Sequence, residues 1–283
     1  MDSLAGGNAS RVSRNYTNVC GKMLRILFLG DIIGEPGRKA VIGSLPGLKR
    51  ELDLDFVVAN GENAAGGKGI SPKITIDLLR AGVAVITMGD HVWDQPDIVP
   101  HLSVEPRLLR PINYPAGVPG GASIVLETAK GKVGVINAQG RTFMRQDLEN
   151  PFLMIQEEVE RMRRETRVIF VDFHAEATSE KVAMGRFLDG KVSAVVGSHT
   201  HVQTADERIL PGGTAFLCDA GMCGARESVI GTEIDAVLKK FLTAIPNRFV
   251  IAKGDVELRG ALIDVEEETG RALEISRFFR IVS

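Results

Sequence analysis

LRILFLGD, residues 24–31, is a short apolar run that ends in glycine and aspartate. Such a run, bounded by turn residues, predicts a buried strand with a carboxylate at its exit. Outward along the chain, similar runs occupy residues 55–60, 83–88, 167–173 and 192–197, mostly separated by helical patterns. The last part of the chain has β-type runs at residues 248–252, 256–265 and 272–281. This alternation with a β-rich end predicts an α/β fold that contains a mixed sheet.

Composition excludes several classes of protein. A length of 283 residues predicts one or two domains. The net charge of −2 argues against a broad basic surface for nucleic acid, although it allows a small nucleotide as ligand. No apolar run approaches the roughly 18 residues that a membrane helix needs. Three cysteines provide no disulfide framework, so we expect a cytoplasmic protein.

Residues 1–22 differ from the rest of the chain. They are polar and rich in glycine, serine and asparagine, and they lack the apolar centre of a secretory signal. We expect them to be a disordered or vector-derived extension of one large domain at residues 23–283. Inside that domain, residues 110–122 are rich in proline and glycine, so we expect a small cap within about residues 95–125. Residues 37–52 have a helical pattern in which Pro46 marks a candidate break.

Potential metal ligands follow the apolar runs. The exits carry Asp31, Glu62 with Asn63, Asp90 with His91, His174, His199 with His201, and Asp219. The carboxyl ends of strands are where α/β sheets place ligands and chemistry. A convergent set of Asp, Glu and His suits two cations about 3.5–4 Å apart that polarise a phosphoryl group and activate a water. The pattern predicts a two-metal hydrolase, although each residue taken singly also fits a helix cap or a solvated loop.

Several long motifs carry a family resemblance. They are FLGDIIGEPGR at 28–38, ANGENAAGGKGI at 59–70, TMGDHVWD at 87–94, FVDFHAEATSEK at 170–181 and VVGSHTHVQTADERIL at 195–210. Together they resemble the bacterial YmdB-like branch of the calcineurin-like metallophosphoesterases, from about Met23 to about Phe279. The resemblance implies a four-layer α/β/β/α sandwich of two mixed sheets with a small cap region. It also implies a binuclear phosphodiesterase that acts on nucleotides, notably 2′,3′-cyclic ones.

The resemblance also implies a role for each site residue. Asp31 and His201 would hold the first metal, Asp90, His174 and His199 would hold the second, and Glu62 would bridge them. Asn63 would orient the nucleophile or substrate, and His91 would be the general acid that protonates the leaving oxygen. A hydroxide that bridges the metals would attack phosphorus. The mixed donors suit Fe, Mn or Zn.

One position departs from the family pattern. The wider superfamily has Gly-Asn-His where this chain has Gly89, Asp90 and His91. The extra negative charge of Asp90 should bind divalent metal at least as tightly, but it should also repel an anionic phosphate. We therefore expect an active enzyme with an altered metal preference or a reduced rate.

Two other interpretations compete with this one. An amidohydrolase barrel usually has its H-x-H on the first strand, whereas here His199 and His201 come late and the first strand gives Asp31. A nucleotide- or RNA-binding regulator with weak or no turnover would use the same site, and Asp90 would then be a sign of decay. The sequence does not separate this regulator from the enzyme, and it leaves a homo-oligomer open.

Overall fold

The structure, a computed structural model, describes residues 22–283. The predicted extension therefore lies, except for Lys22, outside the described residues. The described strands are β1 Met23–Leu29, β2 Asp31–Ile32, β3 Phe56–Asn60, β4 Val85–Thr87, β5 Leu108–Leu109, β6 Ser123–Thr128, β7 Gly131–Gln139, β8 Val168–His174, β9 Ala194–Ser198, β10 Arg208–Ile209, β11 Ala215–Leu217, β12 Met222–Ala225, β13 Val256–Glu266 and β14 Ala272–Val282. The described helices are α1 Gly34–Glu51, α2 Pro72–Ala81, α3 Ile98–Leu102, α4 Pro151–Met162, α5 Thr178–Phe187 and α6 Ile234–Thr243.

The strands form two mixed sheets. The first has the order β2-β12-β13-β1-β3-β4-β5, with β14 paired to β13. Its strands β1, β3, β4 and β5 run parallel, whereas β13 is antiparallel to β1. The second sheet has the order β10-β11-β9-β8-β7-β6, and its strands β7, β8, β9 and β11 run parallel.

Three apolar cores show how the sheets and helices are layered. One core joins α1 and α2 to the first sheet, for example through Leu45 and Leu27. A second lies between the two sheets, where the rings of Phe28 and Phe170 have centroids 5.1 Å apart. The third joins α4 and α5 to the second sheet. The predicted α/β/β/α sandwich of two mixed sheets is confirmed.

Local chemistry explains where α2 begins. The side chain of Ser71 accepts a hydrogen bond from the backbone N–H of Ile74, and Pro72 is the first helical residue. Proline is well suited to that position because its missing N–H has no partner inside the helix. Helix α2 covers the strands that deliver part of the site, since its Leu78 lies in the same core as Leu27 of β1.

Two sequence-based predictions of secondary structure are wrong. Helix α1 continues through Pro46 to Glu51, because the buried Leu45 and Leu48 on either side hold it against the sheet. Residues 248–252 do not form a strand. Only Ile251 makes a single bridge, to Thr232, and most of the segment is exposed to solvent.

The segment at residues 95–122 crosses from the first sheet to the second. It contains α3 and β5, and β5 extends the edge of the first sheet beyond β4. The small cap within about residues 95–125 stays a prediction. Among residues 22–283, no helix combines the length and apolarity needed to cross a membrane.

Candidate metal centre

Four side chains from different strand exits converge at one edge of the sandwich. Glu62, Asp90, His174 and His199 each offer a ligand atom, and these atoms lie within 4.8 Å of one another. Nε2 of His174 is 3.2 Å from Oε2 of Glu62 and 3.3 Å from Oδ1 of Asp90. Nδ1 of His199 is 3.0 Å from Nε2 of His174. We call these four residues the acid–imidazole cluster. The two sheets jointly build it, since Glu62 and Asp90 follow β3 and β4 whereas His174 and His199 lie at the ends of β8 and β9.

Asp31 and Asn63 border the cluster and carry buried oxygens that lack a partner. Oδ1 of Asp31 lies 3.9 Å from Nδ1 of His174, and Oδ2 accepts a hydrogen bond from the backbone N–H of His199. Among the described residues, neither Oδ1 of Asp31 nor Oδ1 of Asn63 has a hydrogen-bond donor. A buried oxygen without a donor is costly, and a bound cation removes that cost. The residues present therefore fit a metal centre.

The imidazoles are held in the way that metal ligands usually are. In each of His174, His199 and His201, one ring nitrogen contacts a partner outside the cluster. Nδ1 of His174 lies 3.0 Å from Oγ of Ser198, and Nε2 of His199 lies 3.2 Å from Oε2 of Glu176. Nδ1 of His201 lies 3.1 Å from the carbonyl oxygen of Ile230. Carboxylate and carbonyl oxygens only accept, so for His199 and His201 the outer nitrogen carries the proton. The opposite nitrogen then keeps its lone pair for a metal, as in carboxylate–histidine–metal arrangements.

A buried polar group lies behind His174. Asp172 is fully buried and accepts hydrogen bonds from Ser198 at 2.7 Å, from Asn60 at 3.2 Å and from the hydroxyl of Thr87. Burial raises the pKa of Asp172 to about 6, although the charge of His174 and the hydrogen bonds oppose this rise. Because Ser198 bonds both Asp172 and His174, the group fixes the orientation of that imidazole.

Glycine is required at position 89. A Cβ there would lie 2.2 Å from Oε2 of Glu62 and 2.2 Å from Nε2 of His174. Any other side chain would therefore occupy the space in which the ligand atoms meet. The sequence motif Gly89-Asp90-His91 thus has a steric cause for its first residue.

The loop after β9 has an unusual backbone. His199 and His201 have φ values of 103° and 65°, a region that residues with a Cβ rarely adopt. Such strain persists only when surrounding contacts enforce it, and it is common at functional sites. One such contact is the carboxylate of Asp219, which accepts from the backbone N–H of Thr200 at 3.1 Å.

Charges within the cluster shift two pKa values strongly. Burial alone would raise the pKa of Asp90, but the hydrogen bond from His174 and the positive charge of that ring outweigh burial and hold it well below its usual range. Burial alone would lower the pKa of His174, but the carboxylates of Glu62, Asp90 and Asp31 raise it well above its usual value. The charges of Asp90 and His174 therefore stabilise each other.

His91 lies beside the cluster rather than in it. Its Nδ1 is 2.9 Å from Oδ2 of Asp94, and its backbone N–H points to Oε2 of Glu62 at 3.4 Å. The neighbouring carboxylate that holds the ring is therefore that of Asp94, and not only that of Asp90 as the sequence suggested. The i, i+3 spacing of His91 and Asp94 was the available signal, and sequence reasoning did not use it.

Asp219, the last strand-exit residue, belongs to a different arrangement. Its Oδ2 lies 2.6 Å from Nζ of Lys181, and both side chains are almost completely buried. Its Oδ1 accepts from the backbone N–H of Gly221 at 2.8 Å. The carboxylate is thus satisfied by the protein itself. Glu176, Ser198, Asp172 and Lys181 were not foreseen, because nothing local in the sequence pairs them with the ligands.

Comparison with known proteins identifies the family of this chain. A sequence model described as "YmdB-like protein" matches residues 27–278. The chain belongs to the YmdB-like family. One relative, the 2′,3′-cyclic-nucleotide 2′-phosphodiesterase of Bacillus subtilis (strain 168), is 46% identical over 254 residues, which cover 90% of this chain and 96% of that protein.

Two solved structures resemble this YmdB-like chain over most of its length. A hypothetical protein from Thermus thermophilus has a TM-score of 0.85 and 38% identity, and the match covers 92% of this chain and 100% of the other. A protein described as a novel phosphatase from Mycoplasma pneumoniae has a TM-score of 0.86 and 34% identity, with 92% and 94% covered. The YmdB-like chain is a hydrolase, and its relatives support the general activity of a metal-dependent phosphodiesterase.

Proposed function

We propose that this protein hydrolyses 2′,3′-cyclic nucleotides in the cytoplasm with two bound metal ions. The observation that carries the proposal is the acid–imidazole cluster, which has buried unpartnered oxygens beside it and outer partners on its imidazoles. The substrate class is supported by the name of the Bacillus subtilis relative, which is 46% identical. A small nucleotide also agrees with the near-zero net charge of the chain.

The proposed ligand sets follow the strand exits. Asp31 and His201 would hold one ion, Asp90, His174 and His199 would hold the other, and Glu62 would bridge them. When bound, the ions would activate a water and neutralise the phosphoryl oxygens, as in other two-metal hydrolases. Nitrogen and carboxylate donors suit Fe, Mn or Zn, among which availability decides. Asn63 would orient the substrate or the attacking water through the oxygen that has no protein donor among the described residues.

His91 would supply the proton for the leaving ribose oxygen. The carboxylate of Asp94 accepts only, so Nδ1 of His91 carries a proton toward it at 2.9 Å and Nε2 is the nitrogen left for the substrate. The protonated imidazole would donate from Nε2 as the P–O bond breaks. General acid catalysis of this kind contributes about 10²–10⁴ in rate.

Asp90 would change the metal affinity and the rate of the enzyme without abolishing its activity. Its carboxylate already sits 3.3 Å from Nε2 of His174 and 3.5 Å from Nδ1 of His199. An anion here adds to metal attraction, and it also repels an anionic phosphodiester. We expect Asp90→Asn to raise phosphodiesterase activity at saturating metal. A lower activity of this variant under the same conditions would contradict the proposed effect of the charge.

The test of the function compares two leaving groups. With Mn²⁺-loaded protein, hydrolysis of 2′,3′-cyclic AMP and of bis-p-nitrophenyl phosphate is measured for wild type and His91→Ala. We expect His91→Ala to keep its metal and to lose about 10²–10⁴ in rate on the cyclic nucleotide, but far less on the activated ester. Equal losses on both substrates would reject the general acid. Absence of wild-type turnover on either diester would reject the enzyme.

The second candidate is a regulator that binds nucleotide or RNA at the same site. The presence of Asp90 where the superfamily has Asn is the observation that favours it. The two candidates differ in one result: a protein that holds two metals and binds nucleotide without hydrolysing any diester is the regulator.

We also propose that the protein forms a homo-oligomer through α6. This helix leaves Leu238, Phe241 and Leu242 exposed, the last two by 80% and 82%. Asp235 lies in its first turn and Lys240 in its last, so two antiparallel copies would pair opposite charges around a shared apolar stripe. We expect a dimer by light scattering coupled to gel filtration, and a monomer for Leu242→Glu. A monomeric wild type would contradict this pairing.

A further inference from the structure

The loop at residues 141–145, R-T-F-M-R, lies between two residues that hydrogen bond to the metal centre. We call it the RTFMR loop. Just before it, the backbone N–H of Gly140 donates to the carbonyl of His174 at 2.9 Å. Just after it, the side chain of Gln146 donates to the carbonyl of Asp90 at 2.9 Å. Both ends of the loop are therefore bonded to residues of the acid–imidazole cluster.

The loop is held in one conformation by a carboxylate from α5. Glu180 accepts from the backbone N–H of Arg141 at 3.0 Å and from that of Thr142 at 3.1 Å. A Cβ on Gly140 would come within 2.6 Å of both Ala175 and the Glu180 carboxylate, so the chain enters the loop through a gap that only glycine fits. These contacts fix the tip of the loop relative to the metal centre.

The tip presents an aromatic ring to solvent. Phe143 is 85% exposed and has a φ of 64°, which is unfavourable for a residue with a Cβ. Arg141 and Arg145 on either side are not buried, and neither has an ion pair with any residue from 22 to 283. An exposed, strained phenylalanine between two such arginines contributes nothing evident to folding. A ligand that uses both ring and charge would explain it.

We propose that Phe143 is the platform on which the nucleobase of the substrate stacks, with Arg141 and Arg145 beside it for the anionic part of the ligand. Aromatic side chains and arginines are the groups with which proteins bind unpaired bases and backbone phosphates. Phe143 is three residues from each anchor, so its Cα is no more than about 11 Å from either one. Only the ribose separates base from phosphate in a nucleotide, so both ends of such a ligand are within reach.

This inference rests on the proposed function, and its test separates the two. Two substrates that share a five-membered cyclic phosphodiester are compared: 2′,3′-cyclic AMP, which has a base, and glycerol 1,2-cyclic phosphate, which has none. The variants are Phe143→Ala, Phe143→Trp and the matched control Leu153→Ala, which removes an exposed apolar side chain on α4. All are assayed as full-length, Mn²⁺-loaded protein.

We expect Phe143→Ala to raise KM for the cyclic nucleotide by about 5- to 150-fold, the range that one lost base–aromatic stack represents. KM for the glycerol compound and kcat for both should stay within a factor of about two, because the ring does not touch the reacting atoms. Phe143→Trp should keep the wild-type KM, and Leu153→Ala should change nothing. Equal changes on both substrates, or an unchanged KM for the nucleotide, would overturn the platform.

Binding of 3′-AMP measured by calorimetry tests the role of Phe143 even if the protein hydrolyses neither substrate. We expect Phe143→Ala to weaken binding of 3′-AMP by the same factor while leaving inorganic phosphate unaffected. If wild type hydrolyses neither diester but shows this selective loss, the base platform stands and the phosphodiesterase falls. If both diesters are hydrolysed but 3′-AMP binds equally to wild type and Phe143→Ala, the phosphodiesterase stands and the base platform is rejected.

Discussion

Two groups of buried charge lie side by side at the same edge of the sandwich. In one, Asp219 meets Lys181 at 2.6 Å and its remaining oxygen takes a backbone N–H, so the protein supplies the cation. In the other, the acid–imidazole cluster has more carboxylates than protein cations, and Asp31 beside it keeps an unpartnered buried oxygen. Both groups follow apolar strands in the sequence. What distinguishes a ligand site from a structural ion pair is whether the charge is balanced from within.

Removing the bridging carboxylate should have the largest effect. Glu62→Gln keeps the shape of the side chain and removes its charge, so we expect both metals to be held poorly. Loss of several kcal/mol of transition-state stabilisation corresponds to a fall of about 10²–10⁴ in kcat/KM. Metal content by elemental analysis and turnover of 2′,3′-cyclic AMP are measured together. The control is Glu160→Gln on the exposed side of α4, and a fully active Glu62→Gln would contradict the bridge.

Replacing Lys181, the cation that balances Asp219, should lower thermal stability rather than metal binding. Lys181→Met leaves the carboxylate of Asp219 buried without its partner, which costs about 3–5 kcal/mol. We expect Tm to fall by about 6–20 °C, and to fall equally with and without chelator. The double variant Lys181→Met with Asp219→Asn should recover part of the loss. A Tm that falls only in metal-loaded protein would place Lys181 in the metal centre, and it would contradict the claim that Lys181 and Asp219 form a separate ion pair.

Removing an outer partner should weaken metal binding by a smaller amount. Glu176→Gln no longer fixes the proton on Nε2 of His199, and partners of this kind are worth about 10- to 100-fold in metal affinity. Glu176 is half exposed, so we expect the lower end of that range. Equilibrium dialysis with Mn²⁺ measures it, with Glu157→Gln as the control. If both variants bind metal alike, Glu176 has no orienting role.

The pH dependence of metal binding should be, for each pH unit, about as large as the loss expected for Glu176→Gln. The neighbouring carboxylates raise the pKa of His174 well above its usual value, so in the metal-free protein this ring holds a proton at neutral pH. A metal needs its lone pair, and binding therefore releases that proton. The sign is that affinity rises with pH, by about tenfold per unit, and levels off above the raised pKa. Calorimetry in two buffers of different ionisation enthalpy checks the released proton, and a pH-independent affinity would contradict it.

Much of the fold and the cluster could be predicted from the sequence. Apolar runs of strand length are a local signal, and they located β1, β3, β8 and β9 and the residues that follow them. Because parallel strands of one sheet bring their carboxyl ends together, the pattern predicted that Glu62 lies near Asp90 and that His174 lies near His199. That these two pairs meet depends on how the two sheets pack against each other, which only the family resemblance implied. The residues implied by family resemblance occupy the same edge of the sandwich, whereas their individual roles stay predictions.

What the sequence did not predict depends on distant pairing. Lys181 and Asp219 are 38 residues apart, and only the fold shows that one neutralises the other. Asp172 inside the apolar strand β8 is recognisable as unusual, but its donors from three other strands are not. The predicted break of α1 at Pro46 is wrong because packing of the helix overrides the local effect of proline. The predicted strand at residues 248–252 is wrong because no neighbouring strand pairs with it beyond the single bridge of Ile251 to Thr232.

The central claim is that the acid–imidazole cluster takes its balancing cations from outside the protein. Elemental analysis of full-length wild type, saturated with Mn²⁺ and dialysed, tests this most directly. We predict two ions per chain, and Glu62→Gln prepared in parallel should retain fewer. Wild-type protein that binds no ion would contradict this claim.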